Sequence, residues 1–294
     1  MNLTDTLLSS GEYFLVITAE LLALFIIVSR RVGILNVYVP KERVQKILGK
    51  TGSVGGSILG AVFGALTPFC SYSTIPITLG FLRAGVAFSS AMSFLFASPL
   101  LNPVILAMML VIFGPVVTVL YAVLMFVFAV GLGLGLQRTG CQKYVKAVAV
   151  DGERTLSGTK CPQVVRFALL IFRQMVPYLL LGAAIGAFIY GFLPADWVME
   201  VAGPDNLFAI PLAALIGIPL YIRAETILPI AAVLLEKGMG MGTVAAILIG
   251  GAGMSIPEIT MLSAIFEKKF VAIFVLMIFV AAVVTGCLLQ ITSL

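Results

Sequence analysis

Between Lys50 and Arg138 the chain carries a single formally charged residue, Arg83. Lipid offers no partners to backbone or side-chain polar groups, so an apolar tract of this length must satisfy its backbone as helices or face other protein. The rest of the chain is of the same kind. Of its 294 residues 61% are hydrophobic and 11% charged, and the mean hydropathy is +1.16. These values lie outside the soluble globular range. The fold class read from them is an all-α polytopic membrane protein.

One run inside the tract is polar: Thr67-Pro68-Phe69-Cys70-Ser71-Tyr72-Ser73-Thr74-Ile75-Pro76. Hydroxyls in a membrane interior must face protein or water, so this run is read as the lining of a binding site. Pro68 and Pro76 bracket it, and each lacks an N–H and disfavours helix in the residue before it. A broken helix here would offer backbone carbonyls and amides to a ligand.

Charge sets the expected topology. Residues 1–12 hold Asp5 and Glu12 but no Lys or Arg, so they lack the basic region of a cleaved signal peptide and the run 13–29 is expected to span. It ends at Arg30-Arg31, and Lys41, Arg43, Lys46 and Lys50 follow. That connector is expected in the cytoplasm and the N-terminus outside. Loop 137–165, with Arg138, Lys143, Lys146, Arg154 and Lys160 against Asp151 and Glu153, is expected inside, as is Glu267-Lys268-Lys269. Residues 194–206 carry Asp196, Glu200 and Asp205 without Lys or Arg and are expected outside. The net charge of +5 therefore reports topology, and nucleic acid is not an expected partner. Histidine is absent, and Cys70, Cys141, Cys161 and Cys287 show no CxxC spacing. Neither a metal site nor a disulfide framework is expected, and no cofactor.

Parity constrains what lies between. A chain inside at Lys50 and inside again at Gln137 crosses an even number of times, and the runs 87–110 and 113–136 use that parity. Residues 51–83 must then enter and return, turning near Pro68, as a pair of short helices or a re-entrant hairpin. In the second half 165–190 runs outward, 206–236 enters and returns around Pro219, 241–264 runs inward and 270–291 ends outside. The halves also match in sequence. Residues 40–49 share a pattern with 194–203, both read as short interfacial helices. Pro68 pairs with Pro219, Pro76 with Pro229, Gly85 with Gly238, and Ser98-Pro99 and Asn102-Pro103 with Gly251-Ala252 and Ser255-Ile256-Pro257. The expectation is two inverted-topology repeats, each with a proline-broken helical hairpin. Residues 1–136 form the first (hairpin 51–83), 137–165 a cytoplasmic loop, and 166–294 the second (hairpin 206–236, C-terminus outside). This amounts to ten short and long helices, or eight spans plus two re-entrant hairpins.

Ionisable residues in apolar segments are costly unless paired or hydrated, and Glu20, Arg173, Arg223, Glu225 and Glu258 qualify. Arg223 and Glu225 follow Pro219 about where Cys70 and Tyr72 follow Pro68, and Glu258 follows Pro257. Arg223 reads equally as a structural ion pair; for Glu225 and Glu258 a site role is favoured; Glu20 and Arg173 read as scaffold. The candidate substrate-binding set is Cys70, Ser71, Tyr72, Ser73, Thr74, Ser98, Asn102, Arg223, Glu225, Ser255 and Glu258, with helix breaks at Pro68, Pro76, Pro103, Pro219, Pro229 and Pro257. Gly52, Gly56, Gly60 and Gly64 recur every fourth residue and allow another helix to approach closely. Cys287 and the methionines read as packing. No HExxH motif or intramembrane aspartate pair supports an enzyme.

The run from Thr67 to Pro76, followed by Ala97-Ser98-Pro99-Leu100-Leu101-Asn102-Pro103, resembles the signature of the YraQ/ArsP-type bacterial inner-membrane permeases. The resemblance covers nearly the whole chain. It implies a multi-pass permease of the cytoplasmic membrane, and the best-described members export trivalent organoarsenicals. Members often show Cys-Ser-Cys where this chain has Cys70-Ser71-Tyr72, one sulfur in place of two. The expected function is movement of a small solute, such as a trivalent organoarsenical or another thiophilic species, by alternating access at a midplane site. The alternative is a channel, or a membrane subunit of a multi-component system handling a metal ion or small anion. The expected partners are the lipid bilayer and the small-molecule or ion substrate, with a homodimer as the candidate assembly.

Overall fold

Gly52, Gly56, Gly60 and Gly64 share one face of α1 (Gly52–Leu66). The computed structural model describes residues 52–67, 71–146, 208–218 and 238–292, with 177, 234 and 235, and it uses that face as a seam. Gly56, Gly60 and Gly64 are buried with Ser57 and Ala61 where α1 packs along α3 (Phe88–Leu100). A Cβ at Gly60 would lie 2.2 Å from the Ser90 carbonyl oxygen, and one at Gly64 3.0 Å from that of Phe94. Only glycine lets two helix backbones meet this closely. The order of these contacts makes α1 and α3 parallel. Between them the chain returns as α2 (Ser71–Arg83), which also packs on α3. Gly85 closes α2 with φ 76°: its N–H bonds Leu82 O and that of Val86 bonds Phe81 O, the paired bonds of a Schellman end.

The helix α4 (Pro103–Arg138) turns at Gly114, whose φ of 79° and ψ of 173° lie outside the helical region. Beyond that turn it runs antiparallel to α3. The Tyr121 hydroxyl donates to Leu100 O at 3.0 Å, Gly133 sits against Ser93, and Gln137 Oε1 accepts from Ser89 N at 3.0 Å.

The second half, α5 (Ala209–Gly217), α6 (Met241–Gly253), α7 (Ile256–Ile265) and α8 (Lys268–Thr292), makes the same contacts at positions higher by 153. Gln290 Oε1 accepts from Gly242 N at 2.8 Å as Gln137 does from Ser89 (89 to 242, 137 to 290). Gly64 meets Phe94, Ala97 and Ser98, and Gly217 meets Ile247, Gly250 and Gly251. Gly238, at φ 93°, closes its helix in the same way: its N–H bonds Leu235 O and that of Met239 bonds Leu234 O. The α6 and α7 helices are bent by 41° at their junction.

The halves meet through rings. Phe88 lies 6.1 Å from Phe270 and Phe96 4.7 Å from Phe274, centroid to centroid, so α3 and α8 run parallel. Gly242 against Gly286 and Gly253 against Ile278 make α6 antiparallel to α8. It follows that α3 and α6 are antiparallel. An isolated bridge, with Lys146 N on Ile265 O and Glu267 N on Tyr144 O, brings residues 144–146 and the α7–α8 corner to one end of the bundle.

Among the described residues the structure is helical apart from that bridge. Met109–Arg138 and Lys268–Ile291 are long and apolar enough to cross a bilayer. Helices α1, α2 and α3, with 15, 13 and 13 residues, reach about 20 Å each, short of a hydrocarbon core of roughly 30 Å. Three expectations are modified. The run 87–110 is two helices, because Pro103 ends α3 and opens α4. Helix α2 continues through Pro76, which lies inside it; a proline removes one hydrogen bond, and α2 carries the loss. Cys287 is exposed on the outward stripe of α8 with Val284, Leu288 and Ile291, not packed inside. The span 13–29, the segments 40–49 and 194–203, Glu20, Arg173 and Cys161 lie outside the described residues.

The seam makes a sharp expectation. Gly60→Ala should lower stability by roughly 1–3 kcal/mol through overpacking. Gly131→Ala, where a Cβ meets nothing within 4 Å, should be neutral or stabilise by up to about 1 kcal/mol. Thermal unfolding of the two variants in detergent checks this.

Candidate functional site

Pro103 has no N–H and pushes Asn102 out of the helical region, to φ −53° and ψ 130°. The orphan amides of the new helix need an acceptor, and Asn102 Oδ1 supplies one to Val104 N at 2.9 Å. Its side-chain amide keeps its donors. Ser255, 153 residues on, holds the equivalent place before α7 with φ −61° and ψ 150°, and its hydroxyl makes no cap bond. The two breaks adjoin: a Cβ on Gly253 would sit 3.4 Å from Leu100 Cδ2, and each of these residues lies two positions before its break.

Helix α2 brings hydroxyls to the first break. Thr74 Oγ1 donates to Ser98 Oγ at 3.0 Å, and Thr78 Oγ1 donates to Thr74 O at 2.8 Å. All three residues are fully buried. Pro76 deprives the carbonyl of Tyr72 of its helical donor, so the first turn of α2, Ser71 to Thr74, opens a backbone acceptor close to Ser98. Thr74 and Ser98, far apart in sequence, are thus brought together, and Asn102 lies one turn further along.

Glu258 stands in the first turn of α7 and is 1% exposed. The positive end of the helix dipole favours its carboxylate there. Ser255-Ile256-Pro257-Glu258 has the spacing of a capping box, but the Ser255 hydroxyl takes no part in one. Helix α7 packs against α2, so the helix bearing Glu258 touches the helix bearing Thr74. Cys70, Arg223, Glu225, Pro68, Pro219 and Pro229 lie outside the described residues, and of Ser71, Tyr72 and Ser73 only the backbone is described. Pro257 lies in the first turn of α7, as Pro103 does in α4.

Some residues escaped the sequence reading. Arg83, the single charge of the tract, is buried in the last turn of α2, where a positive charge complements the helix end. Gln137 and Gln290 clamp the starts of α3 and α6. Their identical spacing from Ser89 and Gly242 was the available signal. Among the described residues no three of His, Cys, Asp and Glu are grouped to hold a metal. The arrangement offers hydroxyls, an amide, backbone carbonyls at a helix break and one buried carboxylate, a set suited to binding and releasing a small polar or ionic solute.

The Thr74–Ser98 bond should register in a double-mutant cycle of Thr74→Val and Ser98→Ala, with a coupling of about 0.5–1.5 kcal/mol in thermal or denaturant unfolding. Strictly additive effects would mean that the bond contributes nothing.

Comparison with known proteins bears on all of this. Residues 6–291 match the model of the ArsP_1 family, described as predicted permease. The UPF0718 protein YcgR of Bacillus subtilis is 25% identical over 98% of this chain and 99% of its own. A putative two-component membrane permease complex subunit of Streptococcus mutans is 26% identical over 93% of this chain and 92% of its own. The UPF0718 protein YraQ of Escherichia coli is 26% identical over 86% and 73%. No solved structure matches the chain. This chain belongs to the ArsP_1 family of predicted permeases.

Proposed function

We propose that the protein moves a small solute across the bacterial cytoplasmic membrane by alternating access between two inverted repeats, 1–136 and 166–294. The observation that carries this reading is the pairing of α3 with α6. They correspond under the 153-residue shift, yet run in opposite directions. The Leu100–Gly253 contact maps onto itself under that shift (100 to 253) and so marks the pseudo-two-fold axis between the two helix breaks. Sites in transporters of this symmetry lie at such breaks near mid-membrane. In this reading Thr74, Ser98, Asn102, Ser255 and Glu258 line the site with Cys70, Ser71, Tyr72, Ser73, Arg223 and Glu225, and the termini and the acidic connector 194–206 face outside.

The proposed cargo is a thiophilic species of the trivalent organoarsenical class, held by Cys70 with help from neighbouring hydroxyls, and Glu258 carries the coupling proton. The test is ligand-dependent melting of purified wild type, Cys70→Ser and Glu258→Gln with a trivalent arsenical, antimonite, soft metal ions and small oxyanions. A true ligand at a hundred times its Kd stabilises by about 2.7 kcal/mol. Stabilisation by the arsenical that vanishes in Cys70→Ser is the expected result. Stabilisation by oxyanions alone, indifferent to Cys70→Ser, would move the site to Arg223 and end the arsenical reading. In proteoliposomes, uptake driven by a pH gradient should become gradient-independent in Glu258→Gln; absence of flux for every candidate would overturn the transporter reading.

A second reading is favoured by the name of the Streptococcus mutans relative, a subunit of a two-component membrane permease complex. In it the chain is one membrane subunit and is inactive alone. A stoichiometric protein that co-purifies and restores flux would select this reading.

A further inference from the structure

The α7–α8 corner carries a feature that the transport site does not use. A groove of about 630 Å³ opens on the outer face of the bundle. Leu215 and Ile218 at the end of α5, Ile259 and Ser263 of α7, and Lys268 and Phe279 of α8 line it. Its two ends differ. From Lys268 to Phe279 the helix rises about 16 Å, close to the depth of one leaflet of a hydrocarbon core roughly 30 Å thick. The Lys268 end lies at the turn between α7 and α8, where the chain reverses and the membrane surface must be. The Phe279 end lies near the level of Gly253, which packs on Ile278 beside the helix break. The groove therefore has the length and polarity gradient of a single phospholipid chain, apolar at the membrane centre and cationic at the surface.

Charge at the surface end selects among lipids. Lys268 lines the groove and Lys269 follows it, both exposed, with Glu267 as the nearby acid. Lys146, carried there by the bridge to Ile265, places its ammonium on the carbonyl of Ser263, itself a lining residue. Among the described residues this corner carries Lys146, Lys268 and Lys269 beside Glu267, and the first turn of the 25-residue α8 adds the positive end of its dipole. We infer that this groove holds one anionic phospholipid, its acyl chain against Ile259 and Phe279 and its phosphate at Lys268. On the topology proposed above this is a lipid of the cytoplasmic leaflet; the groove and its charge do not otherwise depend on the transport reading. A lipid seated between α5, α7 and α8 would brace the helix that carries Glu258 against the one that returns the chain.

The test uses the full-length protein in detergent, with melting followed against added dioleoyl phosphatidylglycerol and dioleoyl phosphatidylcholine, and glycerol-3-phosphate as the soluble headgroup. Phosphatidylglycerol should act at a concentration at least five-fold below phosphatidylcholine, the ratio that one surface lysine supports. Lys268→Gln should erase that ratio while Lys268→Arg keeps it, and Ala272→Trp, which fills the groove, should weaken both lipids. Native mass spectrometry of the wild type should retain one phosphatidylglycerol and lose it in Ala272→Trp, a readout that holds even where a lysine variant is unstable. Equal action of the two lipids on the wild type, an unchanged ratio in Lys268→Gln, or a full shift by glycerol-3-phosphate alone would each overturn the inference.

Discussion

A chain with one charge between Lys50 and Arg138 can interrupt its helices inside a bilayer only where protein stands in for water, because a bare N–H or C=O in hydrocarbon costs several kcal/mol. The architecture follows from meeting that demand. Asn102 caps the helix that Pro103 opens. Gln137 and Gln290 reach across to the first amides of α3 and α6. Tyr121 supplies a donor to Leu100 O at the end of α3. The bonds of Gln137, Gln290 and Tyr121 form only where the helices lie close together, and the glycine seams at Gly60, Gly64, Gly217 and Gly242 allow them to. Close packing and broken helices are therefore one design: the first supplies the partners that the second requires.

The same economy concentrates chemistry. Each break leaves helix ends facing one another, with orphan carbonyls on one side and orphan amides on the other. Thr74 and Ser98 satisfy each other there, and Glu258 gains the positive end of α7. Buried aromatic rings, Phe96 on Phe274 and Phe88 on Phe270, join the two halves.

Much of the architecture was legible. Hydropathy gave the class, since no soluble packing accommodates such a tract. The signature at Thr67 to Pro76 and Ala97 to Pro103 pointed to the permease family to which the chain belongs. Gly85 and Gly238, picked out by equal distance from Pro76 and Pro229, both adopt positive φ in matching helix ends. Other features were misread or missed for physical reasons. Pro76 looked like a break, but a proline near a helix start removes a single bond and the helix runs on. Pro103 marked the break at Leu101 and Asn102 inside 87–110, through which hydropathy alone runs on because the break interrupts backbone, not apolarity. The burial of Arg83 was missed because burial is not local information.

What the sequence by itself determined is therefore the solvent of the protein, the signs of its loops and, at Pro103 and Pro257, where helices start, since these depend on local residue chemistry. Only the tertiary structure decided which residues share a site. The partnership of Thr74 with Ser98, the adjacency of the two breaks and the antiparallel course of α3 and α6 arise from helix packing. That packing is set by how closely glycine-bearing backbones approach and by which rings interlock, and no stretch of sequence contains either quantity.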